Sequence, residues 1–173
     1  MTYAIVYDSR TGNTKRLAQA VAETLPADGR LAFGNVGEVD GATLAAVDRV
    51  YVGFWTNRGD CTDEAAELLA SLGGKEVFLF GTAGFGADET YFAGVTARVA
   101  VHVPESARIV GTFMCQGRMP RSVRDRYERT AEQNPAQAAR MKQLIENFDE
   151  AAGHPNDDDL ALLHAKVRSV PLG

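Results

Sequence analysis

The residues best suited to chemistry lie near the start of the chain, in Ser9-Arg10-Thr11-Gly12-Asn13-Thr14. This stretch holds three hydroxyls, an amide and a glycine, and no acid. Placed between a strand and a helix, it is well made for a phosphate monoester. Main-chain N–H groups and the helix N-terminus point at the anion, and the hydroxyls add donors. Gly12 allows close approach or a positive φ. The same residues also serve as ordinary capping and turn residues. No Gly-Lys-Ser/Thr closes the loop, so it is not a Walker loop, and it lacks the Gly-x-Gly-x-x-Gly dinucleotide pattern.

Two further loops carry unusual residues. The first is Trp55-Thr56-Asn57-Arg58-Gly59-Asp60, which follows Phe54 and contains the sole tryptophan. A tryptophan just past a strand stacks on a flat heteroaromatic ring or packs as a core or lid residue. The second is Thr82-Ala83-Gly84-Phe85-Gly86, whose glycines let main chain press on a planar ligand, with Phe85 as a second wall. A plain strand-to-helix turn has the same composition. Gln116-Gly117-Arg118 lines the edge of such a ligand, or is a turn before Pro120.

These loops need elements to position them. Apolar runs at Tyr3–Tyr7, Leu31–Phe33, Arg49–Phe54, Lys75–Phe80 and Arg108–Cys115 read as strands. Helical patterns separate them: Leu17 to Leu25, Leu44 to Val47, Thr62 to Gly73, and a segment capped by Asp88 that runs through Val99. From Ser122 the chain reads as helix to Gly153, broken at Asn134-Pro135, and a last helix spans Leu160 to Val170. The expected fold class is α/β, a doubly wound five-stranded parallel sheet in the order 2-1-3-4-5. Right-handed crossovers open a crevice at the carboxyl ends of strands 1, 3 and 4, where the three loops lie. The expected division is a domain over 1–153 and a helical tail over 154–173 packed on it.

The stretch Ser-x-Thr-Gly-Asn-Thr directly after a first strand resembles the phosphate loop of flavodoxins, over the chain to about residue 150. The resemblance implies non-covalent FMN and single-electron transfer. It implies phosphate contacts from Ser9, Arg10, Thr11, Gly12, Asn13 and Thr14. It implies ring contacts from Phe54, Trp55, Thr56, Asn57, Arg58 and Gly59, and from Thr82, Ala83, Gly84, Phe85, Gly86 and Gln116. A flip of the Gly59-Asp60 peptide toward a flavin ring nitrogen is cheap at glycine. The partners implied are an electron-donating reductase and an electron-accepting enzyme, with the chain acting as a monomer and as a carrier rather than a stand-alone enzyme. Three departures stand out: Phe85 where many relatives place tyrosine, a milder acidity, and a longer helical tail. The segment Gly111 to Glu128 resembles a flavodoxin-like subgroup from anaerobic bacteria, some of which sit beside dedicated reductases, including bilirubin reduction.

A net charge of -5 argues against nucleic acid as the main partner. No apolar run approaches the ~18 residues of a membrane helix, and the first strand starts too early for a signal peptide. The cytoplasm is the expected compartment, since Cys61 and Cys115 form neither metal-ligand spacing nor a disulfide framework. Cys61 sits near a helix N-terminus, where a thiolate is favoured. The arginines at 118, 121, 124, 126 and 129 interleave with Asp125, Glu128 and Glu132, as a solvated, ion-paired helix face or as a docking patch for an acidic partner. A small FMN-dependent NAD(P)H:quinone-type or bilirubin-reduction-associated oxidoreductase is the alternative function. A phospho-acceptor receiver fits less well, because strand 3 ends in Gly53-Phe54 and strand 5 in Cys115.

Overall fold

Five apolar runs pair into one parallel sheet in the computed structural model, which describes residues 1–86 and 88–172. In chain order the elements are β1 (Tyr3–Tyr7), α1 (Asn13–Thr24), β2 (Arg30–Asn35), α2 (Gly41–Ala46), β3 (Arg49–Trp55), α3 (Asp63–Ala70) and β4 (Glu76–Ala83). They continue as α4 (Glu89–Ala100), β5 (Arg108–Gln116), α5 (Arg121–Gln133), a 3-10 turn (Pro135–Gln137), α6 (Ala138–Ala151) and α7 (Asp157–Arg168). The strand order is β2-β1-β3-β4-β5, the doubly wound order expected.

Strand alternation sorts side chains by size between two cores. Ala4, Val6, Val50, Val52, Val77 and Leu79 meet Leu69, Val95 and Val99 on one face. Tyr3, Ile5, Tyr51, Phe78 and Phe80 meet Leu17 and Val21 of α1 on the other. Helix starts follow local hydrogen bonding. Thr62 caps α3 through Ala65 N, Asp88 caps α4 through Tyr91 N, and Asn156 with Asp159 forms a capping box on α7.

The last helix is part of the aromatic-rich core. Leu163 and Val167 of α7 are fully buried with Leu17, Tyr51 and Phe78. Burying each contributes about 1.5–3 kcal/mol. A doubly wound sheet needs a helix after β5 on the α1 side, and α7 fills that place, packing on α1 and β5. Helices α5 and α6 instead pack on one another as a hairpin between β5 and α7. Below the sheet, the buried Arg49 donates to Glu76 Oε2 at 2.8 Å and to Val170 O at 2.9 Å, which ties the C-terminal segment to β3.

Candidate functional site

Parallel register brings the carboxyl strand ends together. Tyr7 pairs with Gly53, Trp55 with Thr82, and Thr82 with Cys115. Thr82 and Ala83 belong to β4, not to the loop after it, because pairing with β5 continues to Ala83↔Gln116. Above these ends lies a cavity of about 770 Å³, within the range of small-molecule sites.

The first loop presents a row of main-chain donors. Gly12 has φ 88 at the N-cap of α1, and a Cβ there would meet nothing within 4 Å. Among the described residues, the main-chain N–H groups of residues 10–14 meet no protein acceptor. Successive free N–H groups at a helix N-terminus form an anion-binding nest. Ser9 Oγ accepts from Lys15 N at 3.1 Å, leaving its own O–H free to donate. Asn13 Nδ2 donates to Thr11 Oγ1 at 3.0 Å and to Arg118 O at 2.8 Å, joining this loop to the one after β5. Thr14 is fully buried, its hydroxyl 3.2 Å from that of Thr82. Arg10 and Thr11 line the cavity with Asn13, whereas Ser9, Gly12 and Thr14 stand outside its wall.

The second loop forms a tight turn. Arg58 (φ 52) and Gly59 (φ 88) both have positive φ, as a type I′ turn requires. Asn57 N donates to Asp60 O at 2.7 Å and Asp60 N to Asn57 O at 3.0 Å. Helix α4 holds this turn: Arg98 Nε donates to Gly59 O at 2.6 Å, and His102 Nε2 lies 3.1 Å from Asp60 Oδ2. Trp55, Thr56 and the turn residues 57–59 line the cavity, and the Arg10 guanidinium stacks 5.7 Å from the Trp55 ring centroid. The Thr56 hydroxyl is buried and has no protein partner, although its main-chain N–H donates to Thr82 O at 2.8 Å. Such a group usually costs stability. Phe54 is fully buried in the core and outside the wall.

The third loop is stapled from a residue that sequence reasoning missed. Asn147 of α6 donates from Nδ2 to Gly84 O at 2.9 Å and accepts at Oδ1 from Gly86 N at 3.3 Å. Gln116 is buried and spends its amide on the same Oδ1, at 3.3 Å; with Ala83 and Gly86 it stands outside the wall. Thr82, Gly84 and Phe85 line the cavity, and Phe85 meets Tyr91 edge-on at 5.6 Å. A Cβ at Gly84 would fall 2.4 Å from Met119 Cγ, so the Met119 side chain lies directly against this glycine.

The hairpin adds a wall no motif announced: Val123, Arg126 and Tyr127 of α5 face the cavity. Their i, i+3, i+4 spacing is the signal that could have found them. Arg121 and Arg124 are instead ion-paired with Asp125, Glu128 and Asp149, so the basic run divides into a paired face and a cavity face.

The expected Cys61 thiolate is not found. Burial, then the Asp60 carboxylate, pushes the thiol up to about 12, overriding the nearby helix N-terminus. Burial raises Cys115 as well. Ligand atoms of Asp60, Cys61 and His102 lie within 4.8 Å of one another, but the carboxylate–imidazole contact and the protonated thiol make this trio a tie between the turn and α4.

A five-stranded parallel sheet in the order β2-β1-β3-β4-β5, with a cavity at the carboxyl ends of its strands, defines a doubly wound α/β protein of the flavodoxin-like type. The family model described as "Flavodoxin domain" matches residues 4–168, and the chain belongs to that family. The match includes α7, beyond the residue 150 to which the sequence resemblance reached. The chain is 40% identical over 185 residues to the flavodoxin-like domain-containing protein BilS of Clostridium symbiosum (strain WAL-14163), covering 99% of this chain and 97% of that one. Among solved structures it resembles a Streptococcus pneumoniae TIGR4 flavodoxin (TM-score 0.52, 23% identity, 87% of this chain and 99% of that one). It also resembles a Lactobacillus acidophilus NCFM flavoprotein solved in complex with FMN (TM-score 0.50, 14% identity, 66% of this chain and 93% of that one). No described helix is long and apolar enough to cross a membrane.

Proposed function

We propose that the cavity holds FMN and that the chain carries electrons from a reductase to an acceptor enzyme. The observation that carries this reading is one cavity lined by Arg10, Thr11 and Asn13, whose main-chain N–H groups meet no protein acceptor, by Trp55 and by Thr56. The nest would take the phosphate, Trp55 and Phe85 would bound the ring system, and Thr56 would hydrogen-bond a polar atom of the ligand. FMN supplies the redox chemistry when bound. The chain supplies binding, exclusion of water and the local field. The flavoprotein that shares the fold and binds FMN supports the choice of nucleotide.

Transport of electrons is favoured over turnover of an organic substrate by the composition of the wall. Its ionisable side chains are arginines and the tyrosines Tyr91 and Tyr127; among the described residues no His, Asp, Glu, Lys or Cys lines it. Burial raises the Tyr91 phenol further. Reduction of a quinone or tetrapyrrole consumes protons, and among the described residues this wall presents no carboxyl, imidazole, ammonium or thiol to supply one. The test is direct. The reduced, FMN-loaded protein passes electrons stoichiometrically to ferricyanide, while NAD(P)H with a quinone gives no turnover until a separate reductase is added. Turnover by the chain alone would overturn the carrier reading.

A further inference from the structure

The cavity mouth is ringed by arginines from five segments: Arg10 after β1, Arg58 in the turn after β3, Arg98 on α4, Arg118 after β5 and Arg126 on α5. All five are exposed, and among the described residues no acidic side chain lines the cavity. Among the described residues none of the five has a carboxylate within 4.0 Å. Arg10 lies over Trp55, Arg98 donates to a carbonyl, and Arg126 lies over Tyr127. The nearby acids are already engaged: Asp60 by His102, Asp125 by Arg121, and Glu128 and Asp149 by Arg124.

This concentration runs against the chain as a whole. The net charge is -5, so with five positive charges gathered at the mouth everything else sums to -10. One phosphate dianion in the nest would cancel two of the five. The surplus stands in solvent around the opening, spread over five segments of chain rather than converging on one point. Guanidinium forks match carboxylates in pairs, and arginine is enriched in protein interfaces.

We infer that this rim is the docking surface for an acidic face of a redox partner protein, held mouth-first by its carboxylates. The charge asymmetry serves this directly. An acidic partner is attracted at the mouth and repelled by the rest of the surface, so encounters are oriented toward the site. The inference rests on the FMN reading only in placing the electron-transfer edge at this mouth.

The test reads the local field with small probes. FMN-loaded protein is reduced without oxygen and mixed with ferricyanide, an anionic one-electron acceptor, or with hexaammineruthenium(III), a cationic one. The local surplus predicts that the ferricyanide rate falls about tenfold between about 20 and about 200 mM salt, because opposite charges are being screened. The net charge predicts the reverse, and a ferricyanide rate that rises with salt would overturn the proposal. The double variant R118E/R126E is expected to flatten or reverse the slope. Poly-L-glutamate distinguishes the kind of occupant: it should slow ferricyanide far more than glutarate at equal carboxylate concentration. Equal inhibition by glutarate would mean a small-anion site and would also overturn the proposal. A readout that needs no flavin is collisional quenching of the single tryptophan, where the ratio of iodide to caesium quenching constants should exceed that of free N-acetyltryptophanamide despite the net negative charge, and a ratio below it would overturn the rim. If FMN does not bind, the functional reading fails and the quenching still tests the rim. If FMN binds but the salt slope is positive, the rim fails and the functional reading stands.

Discussion

Replacing Thr56 with valine removes one hydroxyl and keeps the shape of the side chain. In the ligand-free protein that hydroxyl is buried without a protein partner. An unsatisfied buried polar group costs about 1–3 kcal/mol, so T56V should stabilise the ligand-free protein. For a chain of this length each kcal/mol shifts Tm by about 2–4 °C, which makes the expected rise at least about 2 °C. The effect on FMN has the opposite sign. A hydrogen bond to the ligand contributes about 1 kcal/mol net, so its loss should weaken binding about fivefold. Calorimetry of the ligand-free protein gives the first quantity, and FMN titration gives the second. T56S, which keeps the hydroxyl, should bind FMN like the parent. A T56V protein that melts lower and binds FMN as tightly as the parent would refute the reasoning, because the hydroxyl would then support the fold and not the ligand.

Two further predictions concern the turn beside this residue. With its thiol pushed up to about 12, Cys61 should not react with a disulfide reagent at pH 8 in the folded protein, and both cysteines should react in denaturant; rapid reaction of the native protein would contradict the burial argument. Burial alone would raise the Asp60 carboxyl, but the Cys61 main-chain N–H and the His102 ring outweigh it and hold it below the ordinary 3.8. A depressed folded-state pKa contributes stability that is present above the unfolded value and lost as pH falls through the folded one. The Tm of the parent should therefore drop more steeply than that of D60N below pH 3.8, and parallel curves would show that the carboxylate is not stabilised by folding.

The fold was legible because its signals are local and repeated. The five apolar runs, the Thr62 and Asp88 helix starts and the break at Asn134-Pro135 each appear in a few consecutive residues. The three loops were legible as loops, and register brings all three to one cavity. What stayed hidden depends on tertiary contact. Nothing near Asn147 says that its amide staples the Gly84 loop from a helix far along the chain. Whether α7 is a tail or the helix that completes the sheet depends on which surface Leu163 and Val167 cover. Arg126 reads like its neighbours Arg121 and Arg124 until their carboxylate partners are seen and its own absence of one is noted. Cys61 was misjudged because a helix N-terminus is visible in sequence and burial beside Asp60 is not.

On the proposed function, a nest of main-chain donors at residues 10–14 selects a flavin by its phosphate. The measurement that tests it most directly is parallel titration of the flavin-free protein with FMN and with riboflavin, following Trp55 fluorescence and flavin absorption. The account predicts one FMN per chain, quenching of Trp55, and FMN binding at least about a hundredfold tighter than riboflavin, a difference of about 2.8 kcal/mol drawn from several charge-assisted hydrogen bonds. Equal affinity for the two flavins, or binding that leaves Trp55 unquenched, would contradict it.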